Sequence, residues 1–109
     1  MINILFICLC NRDRSRTAEI FFQNKYPQYR FRSAGISKSG CEKHGGIHLK
    51  TYMLDVADRI ICMDFSQSDY IIRQIDKKYN NKIEVLQIED TELFMSPKLI
   101  EELELKFKI

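Results

Sequence analysis

The sequence predicts an α/β fold with three layers (α/β/α), in which helices cover both faces of a four-stranded parallel sheet. Two observations support this prediction. Short apolar runs, typical of strands buried on both faces, alternate along the chain with segments of helical periodicity. The chain also has 109 residues, 45% of them hydrophobic, with only 4 Gly and 2 Pro, which is the composition of an ordered core. We therefore expect a single domain over residues 1–109.

The first half of the chain contains the clearest elements. The apolar run over residues 2–9 predicts the first strand, and a polar loop over residues 11–14 follows it. Apolar residues at helical spacing then predict a helix from Ser15 to Tyr26, which Pro27 ends. Residues 29–33 predict a second short strand.

The second half begins with a weaker pattern. Residues 34–46 are small, polar and glycine-bearing, which predicts a loop, and one weak helical turn is expected over residues 49–54. Asp64 is expected either to cap the helix that follows it or to brace the neighbouring loop. The remaining patterns predict, in order, a strand over residues 59–63, a helix over residues 69–79, a strand over residues 82–88 and a final helix that begins at the Ser96–Pro97 pair.

Composition limits the possible partners. Lys and Arg number 17 against 15 Asp and Glu, so the net charge of +2 does not indicate nucleic acid. No apolar stretch is long enough to span a membrane, and the apolar start lacks the basic leader of a signal peptide. Four cysteines without such a signal favour the reducing cytoplasm, and the lack of a C-x2-C pair argues against zinc. We expect no metal, no cofactor, no nucleic acid and no membrane partner, and the oligomeric state stays open.

The loop after the first strand is the expected functional site, because ligands of such sheets bind beyond the carboxyl ends of the strands. Within it, Cys8 lies six positions before Arg14. The backbone N–H groups of such a loop can converge on an anion, and the N-terminus of the following helix attracts the same charge. Arg14 offers a guanidinium fork to two phosphate oxygens, and this positive field favours the Cys8 thiolate as a nucleophile. The alternative is that Cys8 is an inert core residue, as most buried cysteines are.

These residues resemble the signature of the low-molecular-weight protein tyrosine phosphatases, in which a strand ends in C-x5-R-S and the next helix contains an Ala-Glu pair. The loop and the Ala18–Glu19 pair match this signature. The similarity continues in the same order over residues 32–35, 57–64 and 88–90. The resemblance implies a phosphate-binding loop after the first strand and hydrolysis of phosphate monoesters through a cysteinyl-phosphate intermediate.

The resemblance also implies a role for each matching residue. Cys8 is the expected nucleophile, Arg14 the phosphate-binding arginine and Asp90 the acid that protonates the leaving group. Asn11 is expected to hold the strained loop by side-chain hydrogen bonds, and Ser15 to stabilise the thiolate. The expected phosphate-binding residues are those of the loop: Leu9, Cys10, Asn11, Arg12, Asp13, Arg14 and Ser15. The implied substrates are phosphorylated proteins, with phosphotyrosine foremost, or small aryl phosphates.

Some positions depart from the family pattern. The chain is shorter than the usual member, in part around residues 36–56. Cys10 stands where a small residue is usual, and Asp13 replaces a second loop cysteine. Thr91 follows the expected acid, Asp90, where the family usually has proline. The pair of aromatic residues that often holds a phenyl ring in the family is also missing, and Phe94 is expected to take its place.

Two local expectations follow from the residues near the loop. Because the backbone amides turn inward, the side chain of Asp13 should point outward to Arg12, Arg16 or water. His44 and His48 are expected to be loop residues and not ligands.

Three other functions remain as alternatives. A thiol-coupled arsenate reductase shares this fold but needs relay cysteines, whereas Cys62 lies in an apolar run and Cys41 stands alone in a loop. A cysteine phosphocarrier of sugar-transport systems has no need of Arg14. A non-catalytic phosphopeptide-binding module has no need of Cys8 and Asp90.

Overall fold

The computed structural model describes residues 1–109 and contains one parallel sheet of four strands. The strands lie in the spatial order β2-β1-β3-β4, and every neighbouring pair is parallel. Their bounds are β1 Asn3–Cys8, β2 Arg30–Gly35, β3 Arg59–Cys62 and β4 Ile83–Val85. The predicted α/β fold with a four-stranded parallel sheet is confirmed.

Five helices connect the strands and cover the sheet. Their bounds are α1 Arg14–Lys25, α2 Lys38–His44, α3 Thr51–Val56, α4 Phe65–Tyr70 and α5 Pro97–Lys106. A π-helical turn, Ile71–Ile75, continues α4, and a 3-10 segment, Lys77–Lys82, leads into β4. No helix is both long and apolar enough to cross a membrane.

Strand β1 lies at the centre of two separate cores because its side chains alternate between the faces of the sheet. On one face, Phe6 packs with α1 and α5, and its ring centroid lies 5.7 Å from that of Phe22 and 5.1 Å from that of Phe107. On the other face, Leu5 and Ile7 pack under α3 and the π-helical turn. Burying each such side chain contributes roughly 1.5–3 kcal/mol, so the register of β1 is strongly specified.

The prediction of a loop over residues 34–46 is wrong in part, because α2 forms within this segment. Ser37 caps this helix by accepting a hydrogen bond from the backbone N–H of Gly40 at 3.1 Å. Gly45 ends it in the left-handed region, with φ of +71°. The helix buries a single side chain, Cys41, so its seven residues carry almost no apolar periodicity by which to predict it.

The helix and strand that follow β3 also differ from their predicted bounds. The helix begins earlier than residue 69, because Asp64 and Gln67 form a capping box at its start. The strand predicted over residues 82–88 ends at Val85, and Gln87 takes a φ of +59°. The chain nonetheless continues along β3, since the N–H of Ile88 donates to the carbonyl oxygen of Met63 at 2.8 Å. Residues 89–90 are thereby brought to the same edge of the sheet as the loop after β1.

Candidate active site

Cys8 is the last residue of β1, and its sulfur is surrounded by hydrogen-bonding groups. Its side chain is buried. The backbone N–H of Asn11 donates to Sγ at 3.2 Å, and the hydroxyl oxygen of Ser15 lies 3.0 Å from Sγ. Sγ also lies close to the start of α1, whose N-terminus is the positive end of the helix dipole. Negative charge on this sulfur is therefore stabilised by its surroundings.

Asn11 holds the loop between β1 and α1 in its curled form. Its backbone lies in the left-handed region, with φ of +53°, and its side chain is buried. The side-chain N–H groups donate to the hydroxyls of Ser15 at 2.9 Å and Ser33 at 2.8 Å. The side-chain oxygen accepts from the backbone N–H of Ile47 at 2.8 Å. These three bonds offset the cost of a left-handed residue that is not glycine.

Two glycines let other segments approach this loop closely. A Cβ at Gly35, the last residue of β2, would lie 2.7 Å from the backbone nitrogen of Asn11. A Cβ at Gly46 would lie 2.6 Å from the carbonyl oxygen of Cys10. Both distances are shorter than real carbon contacts, so any larger residue would displace the loop backbone.

Arg14, the first residue of α1, is a buried cation with fixed hydrogen bonds. Its Nη1 donates to Oδ2 of Asp64 at 2.8 Å and to the carbonyl oxygen of Ile88 at 2.9 Å. Burial raises the pKa of Asp64, but hydrogen bonds from Arg14, Ser66 and Gln67 outweigh it and lower that pKa to about 2. Asp64 thus has both expected roles, since it caps α4 and braces the arginine.

Asp90 reaches the same guanidinium from the segment after β4. Its Oδ1 lies 3.8 Å from Nε of Arg14, and 57% of its side chain is exposed. The carboxylate therefore lies at the mouth of the site, where both a ligand and water can reach it.

These groups surround a cavity of about 110 Å³. The residues that line it are Cys8, Leu9, Cys10, Arg12, Asp13, Arg14, His44 and Asp90. The structure thus brings Cys8, Arg14 and Asp90 together, although Asp90 is distant in sequence. Asn11 and Ser15 do not line the cavity; their side chains lie behind the loop and support it. A more apolar cleft of about 120 Å³ between α3 and β2 contains no nucleophile.

His44 was not recognised as a site residue from the sequence. It is the last residue of α2 and lines the cavity together with Cys8 and Asp90. The expectation that it is a loop residue is wrong because α2 was not predicted. The Ser37 cap and the left-handed Gly45 are the two local signals that could have indicated the helix.

Asp13 points out of the loop, as expected, but it has a partner that the sequence did not indicate. Its Oδ1 accepts from the backbone N–H of Phe94 at 2.8 Å, and Oδ2 lies 3.9 Å from Nε of Arg12. Asp13 therefore anchors the chain segment after Asp90 to the start of α1.

The other cysteines differ in their surroundings. Cys62 is buried in β3, as expected, and burial raises its pKa to about 12. The expectation that Cys41 stands alone in a loop is wrong, since α2 packs it against the end of β2, beside the Cys8 loop. Burial raises the pKa of both Cys10 and Cys41, and negative charge on Cys8 adds to this effect. No group of three or more His, Cys, Asp or Glu side chains is placed to hold a metal ion.

Comparison with protein-family models identifies the family of this chain. The family model described as "Low molecular weight phosphotyrosine protein phosphatase" matches residues 3–93. The chain belongs to this family. It is therefore a phosphatase of the low molecular weight class, and the resemblance seen in the sequence is confirmed. A comparison with curated proteins finds no match.

Solved structures of several phosphatases share the fold. A low molecular weight protein tyrosine phosphatase from T. tengcongensis is 23% identical, with 98% of this chain and 100% of that chain covered and a TM-score of 0.66. The YwlE arginine phosphatase from Geobacillus stearothermophilus is 21% identical, with 97% and 92% covered and a TM-score of 0.67. The tyrosine phosphatase Wzb from Escherichia coli K30, in complex with phosphate, is 20% identical, with 97% and 94% covered and a TM-score of 0.71.

Proposed function

We propose that this phosphatase hydrolyses phosphate monoesters through a cysteinyl-phosphate on Cys8. The observation that supports the proposal is the convergence of three groups on one cavity. These are the sulfur of Cys8, the buried guanidinium of Arg14 and the carboxylate of Asp90. They correspond to a nucleophile, a fixed cation for the transferring phosphoryl group and a proton donor.

In the first step, the Cys8 thiolate attacks phosphorus, so that an S–P bond forms and the P–O bond to the leaving group breaks. Asp90 gives its proton to the departing oxygen. Arg14 stabilises the negative charge on the phosphoryl oxygens, and its bonds to Asp64 and Ile88 keep the guanidinium in place as that charge develops.

In the second step, water attacks phosphorus and the S–P bond breaks. The Asp90 carboxylate takes the proton from the water, and the electron pair returns to Cys8 as the thiolate. The N–H of Asn11 and the hydroxyl of Ser15 stabilise this leaving thiolate. The products are inorganic phosphate and the enzyme in its starting state. Because the cycle needs a reduced thiol, the cytoplasm is the compartment that fits it.

The proposed substrates are phosphotyrosine in proteins and small aryl phosphates. Leu9 lines the cavity and is 43% exposed, so it offers an apolar surface against which a phenyl ring can lie. Phe94 does not line this cavity, so it does not replace the missing aromatic pair there. The similar structures include both tyrosine and arginine phosphatases, so phosphoarginine is a necessary comparison in any assay.

The test is turnover by the parent protein and by Cys8→Ser. The parent should hydrolyse p-nitrophenyl phosphate and a phosphotyrosine peptide faster than phosphoarginine. Cys8→Ser should lose turnover but still bind inorganic phosphate, because the loop amides and Arg14 remain. Cys62→Ala is the matched control, a cysteine removed from the core, and it should retain turnover.

Other outcomes would support the alternatives. Reduction of arsenate with thioredoxin, in the absence of ester hydrolysis, would indicate the reductase. Binding of phosphopeptides without any turnover by the parent would indicate a binding module. Substantial ester hydrolysis by Cys8→Ser would exclude the cysteinyl-phosphate mechanism.

A further inference from the structure

A second concavity of about 360 Å³ lies beside the phosphate cavity. We call it the flanking groove, and it is lined by Arg12, Asp13, Arg16, Ile20, Leu93 and Phe94. Arg12 and Asp13 line both the cavity and the groove. The two spaces are therefore adjacent at the loop after β1, close enough for a ligand longer than a phosphoryl group to contact both.

Three of the six residues that line the flanking groove are apolar and exposed. Leu93 is 69% exposed, Phe94 44% and Ile20 36%. Single exposed apolar residues are ordinary, but three of them that line one groove beside an enzyme site are typical of a binding surface.

The residues that line the groove carry a net positive charge, because two arginines stand against the single carboxylate of Asp13. Arg16 makes no ion pair or side-chain hydrogen bond, and the guanidinium of Arg12 has only a 3.9 Å contact with Asp13. Arg16 and Ile20 lie one turn apart on the same face of α1, so a cation and an apolar side chain are presented side by side.

The chain segment that contains Leu93 and Phe94 is held in place by hydrogen bonds to Asp13 and to α1. Asp13 accepts from the N–H of Phe94 at 2.8 Å, and Thr17 accepts from the N–H of Met95 at 2.9 Å. The carboxylate of Asp13 thus has a hydrogen-bond partner within the protein. A groove with a fixed wall can bind a ligand without the cost of ordering a loop.

We propose that the flanking groove binds the substrate chain next to the phosphorylated residue and selects an acidic side chain adjacent to an apolar one. The acidic side chain would pair with Arg16 and Arg12, and the apolar one would lie on Ile20, Leu93 and Phe94. An extended peptide advances about 3.3 Å per residue, so the selected positions are within a few residues of the phosphate. This inference rests on the proposed function and names the class of protein substrate that the same site accepts.

The test compares three phosphotyrosine peptides and p-nitrophenyl phosphate. The peptides differ only in their flanks, which are Glu and Leu, all Ala, or Lys and Ala. We expect kcat/KM for the Glu-Leu peptide to exceed that for the Ala peptide about tenfold, the effect of one exposed ion pair and one partly buried apolar side chain. The Lys peptide should be the poorest substrate. The advantage should decrease as salt is added, because the arginines are exposed.

Two variants change the charge or the apolar surface of the groove and leave the proposed catalytic residues in place. Arg16→Glu should reverse the preference between the Glu-Leu and Lys peptides, and Leu93→Ala should reduce the preference for Glu-Leu over Ala about threefold. Both should hydrolyse p-nitrophenyl phosphate as the parent does. Arg30→Glu is the matched control, because it makes the same charge change on an exposed arginine of β2 outside the groove.

Binding to Cys8→Ser, measured by fluorescence anisotropy with the same peptides, gives a reading that does not depend on turnover. The groove proposal is contradicted if all three peptides have equal kcat/KM and equal affinity while p-nitrophenyl phosphate is hydrolysed normally. The proposed phosphatase function would then remain intact. An equal effect of Arg30→Glu and Arg16→Glu would also overturn the groove proposal. Absence of both hydrolysis and binding for every phosphate compound would overturn both proposals.

Discussion

Replacement of Asp64 by Asn should lower both the free energy of unfolding and the rate of turnover, because Asp64 holds the buried guanidinium of Arg14 in place. Oδ2 of Asp64 accepts from Nη1 of Arg14 at 2.8 Å. The amide oxygen of Asn can still accept this bond, but it carries no charge. The substitution therefore tests the charge of the pair and keeps the size of the side chain.

The size of the effect on stability follows from the structure in two ways. A pKa lowered from 3.8 to about 2 corresponds to roughly 2 kcal/mol at 1.36 kcal/mol per unit. The side chain of Asp64 is 38% exposed, so solvent screening reduces this to about 1 kcal/mol. Hydrogen bonds to charged groups contribute about 1.5–3 kcal/mol against about 0.5–1.5 for neutral ones, which again gives a difference of about 1 kcal/mol.

The pH dependence has a definite sign. The pKa of Asp64 is lower in the folded protein than its usual value, so its charge stabilises the fold above about pH 4. This contribution is lost as the pH falls through about 2. The difference in the free energy of unfolding between the parent and Asp64→Asn should therefore be about 1 kcal/mol at neutral pH and should disappear between about pH 4 and 2.

Urea unfolding followed by far-UV circular dichroism measures this difference. With a slope of about 2 kcal/mol per molar urea, the midpoint should fall by about 0.5 M at neutral pH. Turnover of p-nitrophenyl phosphate should fall about tenfold, since the guanidinium is less firmly oriented. Glu84→Gln is the matched control, because Glu84 accepts two 2.7 Å bonds from Arg59 at the surface, away from the site. Equal loss of turnover in the control, or a stability difference that persists unchanged at about pH 2, would refute the reasoning.

Three further substitutions test the proposed site. Arg14→Lys should lower turnover about 10²-fold or more, because the lysine ammonium lacks the planar guanidinium fork that matches the phosphoryl group. Steady-state activity within a few-fold of the parent would contradict this. Asp90→Asn should lower kcat by about 10² to 10⁴ for phenyl and alkyl phosphates and much less for activated aryl esters; equal losses across leaving groups would indicate another proton donor, with Glu92 the next to test. Asp13→Ala should change the Kd for inorganic phosphate less than tenfold in calorimetry, because the Asp13 carboxylate bonds to the N–H of Phe94; tightening beyond tenfold would show that it faces the anion.

Local sequence information was sufficient for the sheet and for the loop after β1. Apolar runs are typical of strands buried on both faces, such as the central β1 and β3, and the prediction for β1 is within about one residue of each end. The Ser96–Pro97 start of α5 was also predicted, because a serine cap and a proline in the first turn act on their own immediate neighbours. Cys8 and Arg14 are predicted from their loop between a strand and a helix, together with the resemblance to the phosphatase signature.

Other features depend on residues that are far apart in the sequence, and only the folded chain brings them together. The bonds of Arg14 join it to Asp64 and Ile88, 50 and 74 positions away. No periodicity or cap indicates which of several carboxylates will reach a buried arginine, because that depends on the register of β1 against β3. Local patterns are set by neighbouring residues, whereas such contacts are set by the packing of the whole sheet.

The same reason explains the two features of the site that the sequence did not indicate. Helix α2 has no apolar stripe, and its caps mark only its ends, so the position of His44 beside the cavity is set by how α2 packs. The flanking groove exists because Asp13 and Thr17 bind the backbone of Phe94 and Met95 across more than 70 positions. Chemistry that lies within one loop can be predicted from sequence, and the surface around that loop is decided by tertiary contacts, because hydrogen-bond partners so distant in sequence meet only after the sheet has formed.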